Sequence, residues 1–386
     1  MARKTQSLNT EHPVALGSFR SWMKLLWHAS GIDWIYLPRL LFVMCTTLLT
    51  SPLRLWEWLR YVRQIKATRI HPSPIFIIGH WRSGTTYLHN LLCQDENFGF
   101  LSTFQAMTPG FFLVGDRWIK PALVKLSGKR YPTRLIDNIP LALNSPQEDE
   151  FAMAGLSPRS FLHAFTFPQQ ANRYFERYVL FRHMTASEHT KWCDTYVHLL
   201  RKVTFANAGR RLVIKNCAHS GHVSTLLTLF PDAKFIHIHR NPYDVLPSTL
   251  HMRKTVLPRS QLQHIDDDKI EANVLCDYER LMRQLLGDLS LIPDGQRVEV
   301  RYDDLEKAPL RELQRIYQTV GVPGFEQARP RIEDHIRAVS KYQKNTYRVD
   351  PDLVEKVNAH WAFVLDALGY ERRDPQQSAS RGGRAV

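Results

Sequence analysis

Ile75-Phe76-Ile77-Ile78-Gly79-His80-Trp81-Arg82-Ser83-Gly84-Thr85-Thr86 is the stretch on which the fold turns. Four consecutive apolar residues after the Pro72-Ser73-Pro74 break read as a strand buried on both faces. Two glycines bound the loop that follows, and Tyr87-Leu88-His89-Asn90-Leu91-Leu92 continues it as a helix. Strand, Gly-bounded loop and helix N-terminus form an anion cradle, because backbone N–H groups and the helix dipole point at one place. The spacing is the G-x-x-x-x-G of a Walker A loop, but Thr85 stands where that loop carries lysine, and Arg82 supplies the cation instead.

A nucleotide kinase also wants an acid at the end of a second buried strand, to help hold Mg²⁺. The matching strand here, Lys234–His239, ends in Arg240. A cation there suits direct contact with an anion and argues against a metal, so no metal ligand is expected. Asn241-Pro242 turns the chain, Tyr243–Leu250 reads as a short helix, and Ser248 lies two helical turns beyond Arg240. Arg240 and Ser248 thus predict a second anion site. Leu212–Lys215 and Arg297–Arg301 are further buried strands, with helical patterns between them. The expected fold is α/β: a P-loop-like three-layer fold with a central, largely parallel sheet, plus an N-terminal helical segment. Both anion sites then fall at the carboxyl ends of strands, where such folds place ligands. His237 and His239 share one face of a buried strand and read as packed core rather than as ligands.

At 386 residues, 44% hydrophobic and 23% charged, the chain is neither disordered nor a polytopic membrane protein. Five scattered cysteines without a CxxC give no disulfide framework or zinc site and fit a reducing compartment. The net charge is +14, and residues 1–70 carry ten basic side chains against three acidic ones. Anionic partners follow: nucleic acid, anionic lipid or a phosphorylated small molecule.

The motif residues resemble the sulfotransferases that use 3′-phosphoadenosine 5′-phosphosulfate (PAPS), in particular bacterial members related to the tyrosylprotein sulfotransferase-like group. His80-Trp81-Arg82-Ser83-Gly84-Thr85-Thr86 looks like that family's 5′-phosphosulfate loop, and Arg240 with Ser248 like its 3′-phosphate pair. Val300-Arg301-Tyr302-Asp303-Asp304-Leu305 is similar to an R-Y-E-D-L stretch of the family. Tyr342-Gln343-Lys344-Asn345 falls near its late basic phosphate-binding segment, which makes Lys344 and Asn345 cofactor candidates. The resemblance runs from about Ile75 to Tyr370. It implies PAPS as co-substrate and metal-independent in-line sulfonyl transfer to a hydroxyl or amine of a small-molecule, lipid or carbohydrate acceptor. Arg82 and Lys215 are then the cations of the reaction. The base is open: cytosolic relatives place a histidine where this chain has Cys217. Glu148 is favoured, with Asp149, Glu150 and His219 as alternatives, although Ser145-Pro146-Gln147-Glu148 also reads as a capping box. Phe104, Phe111, Phe112, Phe161, Phe165 and Phe167 are candidate walls of the acceptor site or ordinary core. The competing functions are a P-loop phosphotransferase and a non-catalytic membrane-surface binder. Nucleic acid is not an expected partner of the sulfotransferase.

Three segments are expected: an N-terminal helical piece (1–70), the sulfotransferase domain (71–372) and a flexible tail (373–386). The apolar run from Leu40 to Leu55 is shorter than the ~20 residues of a spanning helix and is broken at Pro52. Trp22, Trp27, Trp34, Trp56 and Trp58 flank it. That suits a helix lying in a membrane interface, or else a helical hairpin packed on the catalytic domain. The expected location is cytoplasmic, peripheral on the inner membrane.

Overall fold

In the computed structural model, residues 12–127, 142–340, 347 and 349–376 are described. Ile75–Ile78 forms β1, buried along its whole length. Phe76 and Ile78 belong to the core on one face of the sheet, and Ile75 and Ile77 to the core on the other. That alternation makes three layers, because each face needs its own cover of helices. The remaining strands are β2 (Phe98–Gly99), β3 (Arg211–Lys215), β4 (Lys234–His239) and β5 (Arg297–Arg301). Their order is β2-β3-β1-β4-β5, and every pairing is parallel. The four buried strands read from the sequence are all present. β2 was not foreseen, since two residues give no periodicity to read.

The chain leaves β1 toward β3 on one side and returns to β4 on the other. The loops after β1 and β4 therefore diverge, and a crevice opens between them at the carboxyl edge. The loop after β1 leads into α4, Thr85–Leu92. The helix after β4 corrects an expectation. It does not stop near Leu250 but runs from Pro242 to Ser260, with Pro247 and Pro258 inside it. Asn241 caps its start, and burial of Val245, Leu246, Met252 and Leu257 outweighs the backbone bonds the prolines remove.

The N-terminal piece is α1 (Phe19–Trp27), α2 (Leu37–Leu49) and α3 (Ser51–Ala67). The break expected at Pro52 falls two residues earlier, at Thr50, where α2 ends and α3 begins. Counted together across that turn, Trp34 to Ala67 is 34 residues, long and apolar enough to cross a membrane by length and composition. Pro52 sits in the first turn of α3, where a missing N–H breaks no intrahelical bond. Trp22 is also reassigned: it is 1% exposed, and its indole donates to the Val14 carbonyl, so it is core. Val14, Trp22, Leu25, Tyr36 and Val43 share one hydrophobic cluster with Phe161, Phe165 and Phe167. The tail positions 377–386 lie outside the described residues, whereas Arg373 is tied down, its N–H donating to Tyr243 Oη.

Candidate active site

Glycine is required at both ends of the loop after β1. Gly79 has φ +144° and Gly84 +93°. A Cβ on Gly79 would lie 2.1 Å from the Ile238 carbonyl oxygen, and one on Gly84 would lie 2.1 Å from the Tyr302 ring. No side chain fits, so the loop backbone is drawn tight against β4 and against the residue that follows β5. Ser220 fastens the first glycine from below: its Oγ accepts from Gly79 N at 2.8 Å and donates to Gly79 O at 3.1 Å.

Within the loop His80 is buried and bonds through Nδ1 to the Trp81 carbonyl. Burial pushes its pKa down to about 3, so it is neutral there. Ser83 and Thr85 are also buried, and Trp81 packs on Phe161. Arg82 takes the left-handed backbone conformation, φ +71°, a conformation costly for a residue with a Cβ. Its Nε donates to Ser248 Oγ at 2.9 Å. That bond joins the loop after β1 to the helix after β4 across the crevice.

Arg240, at the end of β4, does not bond to Ser248. Its Nε lies 3.8 Å from Asp244 and its guanidinium sits 4.7 Å over the Tyr302 ring. That Nε is buried and has no hydrogen-bond partner among the described residues. Tyr302 thus touches both halves of the crevice, Gly84 on one side and Arg240 on the other. It was legible only as part of the R-Y-D-D-L match, not as a site residue.

The third cation, Lys215, ends β3 and is 3% exposed. Its Nζ forms a close ion pair with Glu148. Lys215, Arg82 and Arg240 therefore stand on three adjacent strand ends of the order β3-β1-β4. Such a row of cations beside a helix N-terminus is built for an extended anion.

A sequence profile of the Sulfotransferase family matches residues 74–327. The chain belongs to the sulfotransferase family. It is 34% identical over 375 residues, 96% of its length and 94% of the relative's, to the omega-hydroxy-beta-dihydromenaquinone-9 sulfotransferase Stf3 of Mycobacterium bovis. It matches the protein of the same name from Mycobacterium tuberculosis equally well. Its fold is that of sulfotransferase STF9 from Mycobacterium avium, with TM-score 0.68, 18% identity, and 90% of this chain and 89% of that one covered. STF1 from Mycobacterium tuberculosis is similar, with TM-score 0.61, 18% identity, and 85% and 88% covered. The phosphotransferase and non-catalytic readings give way to this assignment.

Around the cations of this sulfotransferase, the four candidate bases separate cleanly. Asp149 is 2% exposed and accepts from Asn216 Nδ2 at 2.7 Å, from Tyr196 Oη at 2.9 Å, and faces His219 Nε2 at 3.0 Å. Glu150 accepts from Ser160 Oγ at 2.5 Å, Phe161 N at 2.8 Å and Asn216 Nδ2 at 2.9 Å. Burial raises its pKa. His219 is fully buried between Asp149, Tyr196 and His222. All three are saturated supports of the scaffold. Asn216, which bonds to both acids, was not foreseen; its only signal is its place immediately after Lys215. Cys217 is buried too, and burial pushes its thiol up to about 12, which keeps it neutral beside Thr85 and Glu148.

Glu148 is the partly exposed carboxylate of the set. The capping box read through Ser145 does not form. Pro146 pairs as an isolated bridge with Ser102, and Gln147 N donates to Leu101 O, so the segment is extended. The helix starts only at Asp149, with Glu148 at its N-cap making no side-chain cap bond. Its carboxylate is free of capping duty and turned to Lys215. The six phenylalanines are all buried and read as core, with Phe161 touching Trp81. His237 and His239 both face Glu299, at 3.5 Å each. Lys344 and Asn345 lie outside the described residues.

Proposed function

We propose that the crevice binds PAPS and that this enzyme moves its sulfonyl group to the hydroxyl of a lipid-like acceptor. The observation that carries the reading is the row Lys215, Arg82, Arg240 on neighbouring strand ends, with a buried Arg240 Nε that has no hydrogen bond among the described residues and a backbone drawn in by Gly79 and Gly84. These residues fit a bis-anionic nucleotide without calling on a metal ligand. Residues 80–86 would hold its 5′ end and Arg240 its 3′-phosphate, with Ser248 set beside them through Arg82. When bound, PAPS supplies an activated sulfonyl group on a phosphate leaving group.

The protein's part is charge and proton handling. Arg82 and Lys215 oppose the negative charge that gathers at the transferring group, in a site where water is scarce and electrostatics are strong. Glu148 takes the acceptor's hydroxyl proton; its ion pair with Lys215 orients it. The acceptor class is read from the 34% identity to enzymes named for a hydroxylated menaquinone derivative.

The test is transfer of radiolabel from PAPS to an ω-hydroxylated prenyl quinol, with a hydroxylated carbohydrate as the comparison acceptor. Label is expected in the lipid, and Arg240→Ala is expected to weaken binding of the product PAP by about 1.5–3 kcal/mol. Label in the carbohydrate alone overturns the acceptor, and unchanged PAP affinity removes Arg240 from the site.

A further inference from the structure

The helix from Trp34 to Ala67 has two unlike faces. Arg39, Val43, Thr47, Glu57 and Ile65 are its buried residues. Arg39 donates to the Gln261 and Pro258 carbonyls at 2.7 and 2.8 Å. Thr46 Oγ1 donates to Ala15 O at 2.8 Å. Glu57 is ion-paired with buried Lys202, and Tyr61 packs on Phe205. The inner face is thus fastened to the catalytic domain near both ends and to the N-terminal stretch at its middle.

The outer face is apolar. Trp34, Leu41, Leu48, Leu55 and Leu59 follow one another at spacings of seven, seven, seven and four, which puts them on one stripe. Each is at least 58% exposed. A contiguous apolar stripe of this length on a water-soluble surface marks a partner. The charges around it have one sign: Arg20, Lys24, Arg60, Arg63, Lys66 and Arg69 are exposed. The two described acids of the segment are turned inward, Asp33 accepting from His264 N and Glu57 from Lys202.

We propose that this helix is a docking platform that lies flat on an anionic bilayer, with the catalytic domain held on its inner side. Tryptophan and leucine enter the interface while arginine and lysine meet the headgroups. A spanning arrangement is disfavoured on two counts. Thirty-four residues reach about 50 Å at 1.5 Å per residue, well beyond a hydrocarbon core of about 30 Å. Arg39 and Glu57 also tie opposite ends of the helix to the same soluble domain. A second copy is a poor occupant, because two such faces would set cations against cations. The stretch around α1 bridges the platform to the site: Ala15 O accepts from Thr46 of the platform, while Ser18 N donates to Gly155 O at 2.8 Å and Ser21 Oγ to Leu156 O at 3.0 Å, on the helix whose N-cap is Glu148. The inference does not depend on the reaction assigned above.

Vesicle flotation of the full chain tests it. The chain is expected to float with phosphatidylcholine vesicles that contain phosphatidylglycerol, and to float less with phosphatidylcholine alone. Leu41→Glu with Leu48→Glu and Leu55→Glu is expected to lower partitioning at least ~10-fold with an unshifted thermal transition. Should that variant not fold, Arg60→Glu with Arg63→Glu and Lys66→Glu, all at exposed sites, is expected to abolish the preference for phosphatidylglycerol. Failure of the full chain to float, or equal flotation of the charge variant, overturns the proposal. So does resistance to alkaline carbonate extraction, which would mean spanning, or a lipid-free dimer that the leucine variant splits.

Discussion

Glu148 differs from its neighbours in what its oxygens are left to do. Asp149 and Glu150 spend theirs on Asn216, Tyr196, Ser160 and the Phe161 amide. Glu148 has Lys215 beside it and keeps partial exposure. Glu148→Gln preserves shape and an acceptor oxygen but removes the proposed base. It is expected to lower kcat by ~10²-fold or more with PAP affinity retained. Steady-state kinetics beside PAP calorimetry check this; a variant with full kcat would move the base elsewhere. Stability is expected to change little, since no capping bond is lost.

At the scale of elements, one side chain of α3 organises three helices. Glu57 accepts from the Leu113 and Val114 amides, which open the Phe112–Ser127 helix, and pairs with Lys202 of the Ala186–Ala206 helix. Lys202 also donates to Pro109 O at 2.5 Å. Burial pushes both groups toward neutrality, Glu57 upward and Lys202 downward; their mutual contact, their hydrogen bonds and the charge of Asp116 near Lys202 offset that. Glu57→Ala therefore strands a buried cation and two amides. It is expected to cost about 3–5 kcal/mol in denaturant unfolding. Pairing it with Lys202→Met is expected to recover much of the loss, because the uncompensated charge goes with it. Equal loss in the single and double variants would show that packing, not charge, holds α3 down.

For the whole molecule, buried histidines set the pH response. Burial lowers His12, His80 and His89 to about 3 and His163 to about 4, from an ordinary 6.5. Below 6.5 the unfolded chain takes up protons that the fold refuses, so each group withdraws roughly 1.4 kcal/mol per pH unit until its folded value is reached. Among the described residues four acids oppose this. Burial raises Glu57, Glu150 and Asp288, and Asp277 to about 6, so the fold binds those protons before the unfolded chain does. Burial also lowers His71, His198, His222, His237 and His335, so the histidines outweigh the carboxylates. The melting temperature is expected to fall as pH drops from 6.5 toward 4, with net proton uptake on unfolding. Calorimetry in buffers of differing ionisation enthalpy measures that uptake; net release in this window would refute the balance.

Local rules carried much of this. Four apolar residues before Gly79 can only be a strand buried on both faces, and the departures at Thr85 and Arg240 pointed away from a metal-dependent phosphotransferase. Both are short-range facts, set by backbone sterics, periodicity and charge within a dozen residues. Other features needed the fold, because they depend on groups far apart in the chain. Ser145 looked like a cap until Pro146 paired with Ser102 and held the segment extended. Spacing sets Ser248 beside Arg240 as a phosphate pair, but its bond to Arg82, 166 positions away, is visible only in the fold. The sequence favours Glu148 only through a resemblance; the physical support for proposing it over Asp149, Glu150 and His219 lies in which oxygens the packed interior uses up. Hydrogen-bond competition of that kind has no signature in sequence, since it is settled only when strands β3, β1 and β4 bring their ends together.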